Sequence, residues 1–104
     1  MSRYLDEAAA LADGFMIDHE SDRQRFVVRE ADEVVGEAHY SLLTESMIDF
    51  DHTFVVPRLR NTGLSGLLAH RAVTDEIVQG KQVRASCWFI AGYLRDHPEL
   101  VQVS

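Results

Sequence analysis

The stretch that decides the fold runs from Val55 to Val78 and reads VVPRLRNTGLSGLLAHRAVTDEIV. An apolar strand candidate, residues 47–56, leads into it, and apolar residues recur at helical spacing from Leu64 to Ile77. A strand, a short glycine-bearing loop and a helix start are typical of phosphate sites, because the first N–H groups of a helix have no partner within it. The stretch therefore predicts an anion site at the loop or, more simply, a turn with a well-placed glycine.

The loop itself has residues that suit a diphosphate. Arg60 carries a planar cationic group that pairs with phosphate oxygens. Gly63 and Gly66 have no Cβ to block the approach to the helix N-terminus, and Ser65 between them is small. We expect the helix to stop near Gly80, because glycine is common just past a helix C-terminus.

Composition limits the classes of function. A chain of 104 residues fits one domain, residues 1–104, around one core. The net charge of −7 argues against nucleic-acid binding, which needs a basic face, and is compatible with a cationic substrate such as an amine. Cys87 is the single cysteine, which excludes an internal disulfide. With neither a secretory start nor an apolar run of membrane-spanning length, we expect a cytoplasmic protein without a membrane partner.

The N-terminal residues predict a short helix capped by Ser2, with Gly14 just past its end. Its rough apolar stripe consists of Tyr4, Ala8, Leu11 and Phe15. Such a helix serves packing or an interface, or alternatively forms a lid over a site. Residues 18–22 are polar and predict a turn.

The middle of the chain predicts an antiparallel meander of three strands, residues 23–30, 34–43 and 47–56, with Gly36 as a bulge position. A fourth strand, 81–87, follows the helix and can pair with the third in parallel through a crossover. A second helix, 88–96, closes the chain before His97 and Pro98. The predicted class is therefore α/β (α+β).

Strict alternation in the third strand would place His52 on one face with apolar neighbours. That face consists of Ile48, Phe50, His52, Phe54 and Val56. His52 is then either a buried structural histidine or a proton relay near a substrate. Asp49 and Asp51 share the other face, and with no second cluster at ligand spacing we expect solvated carboxylates and no metal.

Residues 87–98, CWFIAGYLRDHP, complete a pattern that begins with His52, Thr53 and the loop. The combination resembles the small GCN5-related N-acetyltransferase-like (GNAT) family, in a compact branch with a His-Thr pair before the loop and a Cys-aromatic…Tyr…His-Pro signature after it. The resemblance spans roughly Phe26 to Leu100 and leaves residues 1–22 as a helical extension. It implies a twisted, mostly antiparallel sheet with a central helix crossover and a C-terminal helix.

The resemblance also implies acetyl-coenzyme A (acetyl-CoA) as cosubstrate. The pantetheine arm would pair with the backbone of Phe54, Val55 and Val56, where two parallel strands splay apart. The pyrophosphate would meet the loop, which consists of Arg60, Asn61, Thr62, Gly63, Leu64 and Ser65. An amine on a small molecule or on a protein would then attack the thioester directly.

Three residues are the candidate catalytic groups that the resemblance implies. Tyr93 matches the tyrosine that protonates the departing thiolate in many relatives, and is otherwise a core aromatic with a partnered hydroxyl. Cys87 matches a recurrent cysteine, which acts covalently only if its thiol is activated and is otherwise buried and inert. His52 lies on the strand beside it.

The sequence departs from the pattern of this branch at four positions. Phe54 replaces a Glu, Asn61 replaces the first loop Gly, Ser65 replaces a Gly or Ala, and Thr62 replaces a basic residue. These changes suggest weaker coenzyme binding or an altered activity. An N-acetyltransferase is the favoured interpretation, and a non-catalytic ligand-binding or protein-interaction module of the same fold is the alternative. A small core and a free sheet edge favour a homodimer, although no residue requires one.

Overall fold

The computed structural model describes residues 3–100 and is built on a five-stranded sheet whose strands lie in chain order. The strands are β1 (Phe15–Glu20), β2 (Arg25–Glu30), β3 (Glu33–Thr44), β4 (Met47–Val55) and β5 (Gln82–Ala85). Neighbours from β1 to β4 are antiparallel, and β4 pairs with β5 in parallel. The predicted mostly antiparallel sheet, with its one parallel pair, is confirmed.

The helices are α1 (Glu7–Ala12), α2 (Leu64–Thr74) and α3 (Trp88–Asp96). Because α2 connects β4 to β5, it is the predicted crossover helix, and α3 is the predicted C-terminal helix. The prediction that α2 continues to Gly80 is wrong. Asp75 has an extended backbone, and its carboxylate accepts the Ile77 N–H at 3.0 Å, which starts a separate 3-10 turn at Glu76–Val78.

The N-terminal segment is a shorter helix than predicted, followed by a strand. Asp6 caps α1 by accepting the Ala9 N–H at 2.8 Å, whereas the predicted cap, Ser2, lies outside the described residues. Phe15 and Ile17 are buried in strand alternation in β1. The predicted helical stripe through Phe15 is therefore wrong, and the turn predicted at 18–22 is confined to Ser21–Arg23.

The core lies between α2 and the sheet. Its largest fully buried members include Phe26, Val35, Ile48, Phe50, Leu64, Leu68, Val73 and Ile90. Leu64 and Leu68 are one helical turn apart, so a single face of α2 packs against the strands. Within the described residues, every buried side-chain nitrogen or oxygen has a hydrogen-bond partner. This core fixes α2, and with it the preceding loop, against the sheet.

A bulge in β4 reverses the direction of the side chains that follow it. Tyr40 pairs with Phe50 and His39 pairs with His52, so Asp51 is an extra residue in β4. His52 consequently lies on the face opposite to Phe50 and is exposed, with its ring centroid 5.8 Å from that of His39. The prediction that His52 has apolar neighbours is wrong, because it assumed unbroken alternation.

Candidate functional site

The two parallel strands separate soon after they meet. The last paired residues are Phe50 in β4 and Ala85 in β5, and the Cys87 N–H still donates to the Phe50 carbonyl at 3.0 Å. Beyond that point β4 runs on to Val55, and no described strand pairs with its edge on the β5 side. Such an edge offers backbone N–H and C=O groups to an extended ligand. The splayed pair expected from the resemblance is thus present.

A cleft of about 1210 Å³ lies where β4 and β5 separate, and residues of β4, the loop, α2 and α3 line it. Small-molecule pockets in proteins typically hold about 300 to 1,000 Å³, so this cleft suits a large or elongated ligand. Eight of the predicted site residues line it: Phe54, Val55, Arg60, Asn61, Gly63, Ser65, Cys87 and Tyr93. The structure therefore gathers most of the predicted cofactor and catalytic residues around one space.

Four predicted site residues do not line this cleft. Val56 is half-buried and packs against the core, and Leu64 is completely buried within it. The Thr62 side chain is buried beneath the loop. His52 is exposed outside the cleft. The roles predicted for these residues, including a catalytic role for His52, remain predictions.

The loop is shaped by two residues with left-handed backbone. Asn61 has φ +65° and Gly63 has φ +98°. Asparagine tolerates this region better than most residues, so the loop forms although Asn61 stands where the resemblance implies a glycine. Gly63 is the N-cap of α2 and has no side chain to occupy the first N–H groups of the helix. The N-cap therefore contributes no side-chain bond, and among the first N–H groups of α2 the Leu64 N–H donates to the Thr62 hydroxyl at 3.4 Å.

The carbonyl of Thr62 is turned away from α2. It accepts the N–H groups of Arg3 and Tyr4 at 2.8 and 2.9 Å, and the first intrahelical bond of α2 runs from the Leu67 N–H to the Gly63 carbonyl at 3.1 Å. The N–H groups of Ser65 and Gly66 belong to the first turn, which has no intrahelical acceptors, and no other group among residues 3–100 accepts them. Two unpaired donors at a helix N-terminus favour a bound anion.

The N-terminal segment, which the sequence placed outside the family pattern, forms part of the cleft wall. Residues Tyr4, Leu5, Asp6 and Glu7 line it. Tyr4 is buried, and its hydroxyl donates to the Asp13 carboxylate at 2.8 Å. A 2.9 Å ion pair between Glu7 and Arg71 ties α1 to α2. This segment is held against the loop by backbone and side-chain bonds.

Arg60 is oriented by the strand that precedes it. Its Nε donates to the Val55 carbonyl at 3.1 Å, and its guanidinium carbon lies 5.7 Å from the centroid of the Phe54 ring. Within the described residues Arg60 makes no ion pair, so its terminal nitrogens are available to an anion. Phe54, which stands where the resemblance implies a Glu, thus supports the Arg60 guanidinium beside the cleft.

Cys87 is half-buried at the N-cap of α3. Its Sγ lies 3.4 Å from Thr53 Oγ1, a neutral hydroxyl that cannot act as a strong base. A base, a nearby cation or a helix N-terminus can favour the thiolate nucleophile. Cys87 has only the last of these, since its side-chain partner among the described residues is a neutral hydroxyl. The contact therefore favours the inert interpretation of Cys87 over a covalent one.

Tyr93 reaches the cleft from α3 and has two histidine neighbours. Its hydroxyl oxygen lies 3.0 Å from His70 Nδ1, and its ring centroid lies 4.3 Å from that of His97. Burial raises the pKa of the Tyr93 hydroxyl above its ordinary value, and the nearby Glu99 carboxylate raises it further. Tyr93 consequently keeps its proton at neutral pH and can donate it.

Sequence reasoning missed the two histidines beside Tyr93 as site residues. His70 follows Gly66 by one helical turn, so the spacing alone places it on the glycine face of α2. His97 belongs to the Cys87–Pro98 pattern but was assigned only the end of a helix. The N-terminal part of the wall was missed as well. The residue types of this segment do not indicate that it contacts the loop, because Arg3 and Tyr4 bond to Thr62 through backbone groups.

The carboxylates of β4 are occupied by local hydrogen bonds. Asp49 accepts the N–H and the hydroxyl of Ser86 at 2.9 and 2.6 Å, and Asp51 accepts the hydroxyl of Ser41 at 2.6 Å. Across residues 3–100 there is no group of three or more potential metal-ligating side chains. None of the helices in that range is long and apolar enough to cross a membrane.

Comparisons with known proteins match most of the chain. The sequence model of a family described as GCN5-related N-acetyl-transferase matches residues 25–103. Protein NATD1 of Mus musculus is 27% identical over 88 residues, which cover 79% of this chain and 76% of that protein. Protein NATD1 of Gallus gallus and that of Homo sapiens are 24% identical over 88 residues, covering 76% and 74% of those proteins.

Proposed function

The chain belongs to the GCN5-related N-acetyltransferase family, and from that premise we propose that it transfers the acetyl group of acetyl-CoA to an amine. The observation that carries this proposal is the cleft that joins the point where β4 and β5 separate to the N-terminus of α2, whose N-cap is a glycine. The cleft is one continuous site. Its strand edge can bind an extended arm, and its N–H donors and Arg60 can bind phosphate groups.

The lining residues fit the coenzyme in shape and charge. A Cβ built on Gly66 meets no atom within 4 Å, so the space above the helix N-terminus is open. The N–H groups of Ser65 and Gly66, the positive end of the helix dipole and the Arg60 guanidinium would hold the pyrophosphate. The edge from Thr53 to Val55, which no described strand pairs on the β5 side and where Arg60 Nε already donates to the Val55 carbonyl, would hold the amides of the pantetheine arm.

The chemistry requires a proton donor beside the leaving sulfur. A neutral amine attacks the thioester carbonyl carbon, the C–N bond forms, and the C–S bond breaks with its electron pair on sulfur. Tyr93 would supply the proton that the thiolate takes, since burial keeps its hydroxyl protonated. The attacking nitrogen would release its own proton to solvent.

Calorimetric titration with acetyl-CoA tests the proposal. We expect micromolar binding to the wild type and at least about tenfold weaker binding to Arg60→Ala, because a charged hydrogen-bonded contact is worth about 1.5–3 kcal/mol. Arg58→Ala is the matched control: Arg58 pairs with Glu30 at 2.5 Å and does not line the cleft. A wild type that does not bind acetyl-CoA at millimolar concentration would contradict the proposal.

A non-catalytic coenzyme-binding module is the second candidate, and Phe54 is the observation that favours it. In this compact branch a Glu is usual at that position, and here the side chain packs under Arg60 without any acid–base capacity. Such a module would bind acetyl-CoA as tightly as the enzyme but would release no CoA in the presence of amines. Thiol release is therefore the measurement that separates the two candidates.

A further inference from the structure

We propose that His70 is a positioning and proton-returning residue for Tyr93, so that α2 carries a relay between solvent and the cleft. The inference rests on the proposed acetyl transfer. Its basis is the 3.0 Å separation between His70 Nδ1 and the Tyr93 hydroxyl oxygen, which brings α2 and α3 together at the cleft. Nothing in the family pattern of the sequence includes His70.

The position of His70 suits transfer from solvent. His70 is exposed, although it also lines the cleft. Only its Nδ1 is engaged with another described residue, so Nε2 is accessible to water. Tyr93, in contrast, is partly buried between His70 and the ring of His97. One imidazole therefore has one nitrogen toward the acid and the other toward bulk solvent.

The tautomer of His70 decides whether the pair is productive. With the proton on Nδ1, His70 donates to the Tyr93 oxygen, and the Tyr93 O–H is free to point into the cleft. With the proton on Nε2, Tyr93 would donate to His70, and its proton would point away from the leaving sulfur. The relay requires the Nδ1–H tautomer, and we assign that tautomer to the resting protein.

The proton count balances in this arrangement. The Tyr93 O–H gives its proton to the thiolate, His70 Nδ1–H gives its proton to the tyrosinate oxygen, and Nε2 takes a proton from water. His70 ends neutral in the other tautomer and returns to the first by exchange with solvent. The net result is one proton moved from solvent to sulfur, with Tyr93 restored for the next turnover.

The groups around Tyr93 explain why a proton must be returned to its oxygen. His70 faces it from α2, while His97 and Glu99 face it from beyond the end of α3. Glu99 lies 3.8 Å from His97 Nδ1 and disfavours a negative charge on Tyr93. Asp6, Glu7, Arg60 and Cys87 share the cleft walls. A tyrosinate in this setting is strongly basic and needs a nearby donor.

The tautomer can be measured without any acetyl acceptor. Nitrogen-15 NMR of the imidazole distinguishes a protonated from an unprotonated ring nitrogen. The wild type at pH 8 is expected to show His70 protonated on Nδ1, and Tyr93→Phe is expected to lose that preference. A His70 resonance with the proton on Nε2 in the wild type would overturn the relay.

Kinetics give the second test, with CoA release from acetyl-CoA measured in the presence of tyramine, spermidine or lysine methyl ester. We expect His70→Leu to lower kcat by about 10- to 100-fold, since positioned acid–base groups contribute about 10²-fold or more. KM for acetyl-CoA should stay within about twofold, because His70 acts through Tyr93 rather than on the coenzyme. A His70→Leu variant with wild-type kcat would overturn the relay.

Chemical rescue separates proton return from a structural role. Imidazole added to the buffer should restore much of the kcat of His70→Ala, which leaves room for the free ring, whereas Tyr93→Phe should not respond. His70→Gln can still donate a hydrogen bond but cannot relay a proton, so its kcat should stay low. His39→Leu is the control for loss of an imidazole elsewhere, because His39 lies outside the cleft. Failure of imidazole to rescue would contradict the relay.

Failure of the proposed function has a different signature. A wild type that binds acetyl-CoA, carries the Nδ1–H tautomer and releases no CoA with any of the three amines would contradict catalysis while supporting the assigned hydrogen-bond direction. A wild type that releases CoA but carries the Nε2–H tautomer would support the enzyme and overturn the relay.

Discussion

At the scale of single residues, Thr62, which stands where the resemblance implies a basic residue, has a structural role. Its hydroxyl donates to the Leu59 carbonyl at 2.6 Å, and its side chain is buried. Its own carbonyl accepts the N–H groups of Arg3 and Tyr4. The residue therefore closes the loop on one side and fastens the N-terminal segment on the other, roles that do not need the basic side chain it replaces.

Replacing the Thr62 hydroxyl by a methyl group should weaken the fold. Thr62→Val keeps the shape but leaves the buried Leu59 carbonyl without its partner, which costs about 1–3 kcal/mol. Urea unfolding followed by circular dichroism measures the change. Thr74→Val is the matched control, since Thr74 is exposed and its change should stay within about 0.5 kcal/mol. Equal unfolding free energies for Thr62→Val and the wild type would show that the hydroxyl is dispensable.

At the scale of elements, the N-terminus of α2 uses two glycines for different reasons. Gly63 has φ +98°, a backbone conformation that L residues rarely adopt. Gly66 lies within the helix and has open space where its Cβ would be. The first glycine is required by the backbone, whereas the second leaves room above the helix end.

Alanine substitutions should separate these two requirements. Gly63→Ala should lose about 1–2 kcal/mol of stability, because a Cβ is strained in the left-handed region. Gly66→Ala should gain up to about 1 kcal/mol from helix propensity and yet bind acetyl-CoA less tightly, because its methyl group enters the proposed phosphate cradle. Urea unfolding and calorimetric titration measure the two effects. If Gly66→Ala bound acetyl-CoA with wild-type affinity, the pyrophosphate would not bind at this helix end.

The strands show which parts of the fold are predictable. β2, β3 and β5 and the parallel pairing of β5 follow from apolar runs and from the helix between β4 and β5. The face of β4 on which His52 lies could not be predicted, because the bulge at Asp51 depends on how β4 pairs with β3. Likewise, Ile77 continues the apolar spacing of α2 although Asp75 has already ended the helix.

The cleft, like the strands, could be predicted only where it depends on local sequence patterns. The loop and Tyr93 belong to local patterns, so their presence in the site could be predicted from the sequence. His70 and the N-terminal wall depend on how α2, α3 and the first residues pack together. Contacts made through backbone groups, such as those of Arg3 and Tyr4 with Thr62, leave no mark in the residue types. Local sequence patterns therefore predict the centre of the site, and tertiary packing adds the residues around it.

At the scale of the whole molecule, one core connects the beginning of the described chain to α3. It includes Tyr4 near the N-terminus, Tyr40 in the middle of the sheet and Ile90 in α3. The Cα radius of gyration is 13.1 Å, close to the value of about 13 Å expected for a single domain of 100 residues. The cleft lies against this core, because β4 and α2 contribute to both.

A single core predicts a single unfolding transition. Near-ultraviolet circular dichroism reports the buried Tyr4 and Tyr40, whereas the far-ultraviolet signal reports helices and strands. Both should give one midpoint, since small single domains usually unfold in a two-state manner. Acetyl-CoA at about 100 times its Kd should add about 2.7 kcal/mol and move both midpoints equally. If the near-ultraviolet signal were lost first, or if the ligand moved only one midpoint, the chain would not unfold as one cooperative unit, and the single core could not couple the N-terminal segment to the coenzyme site.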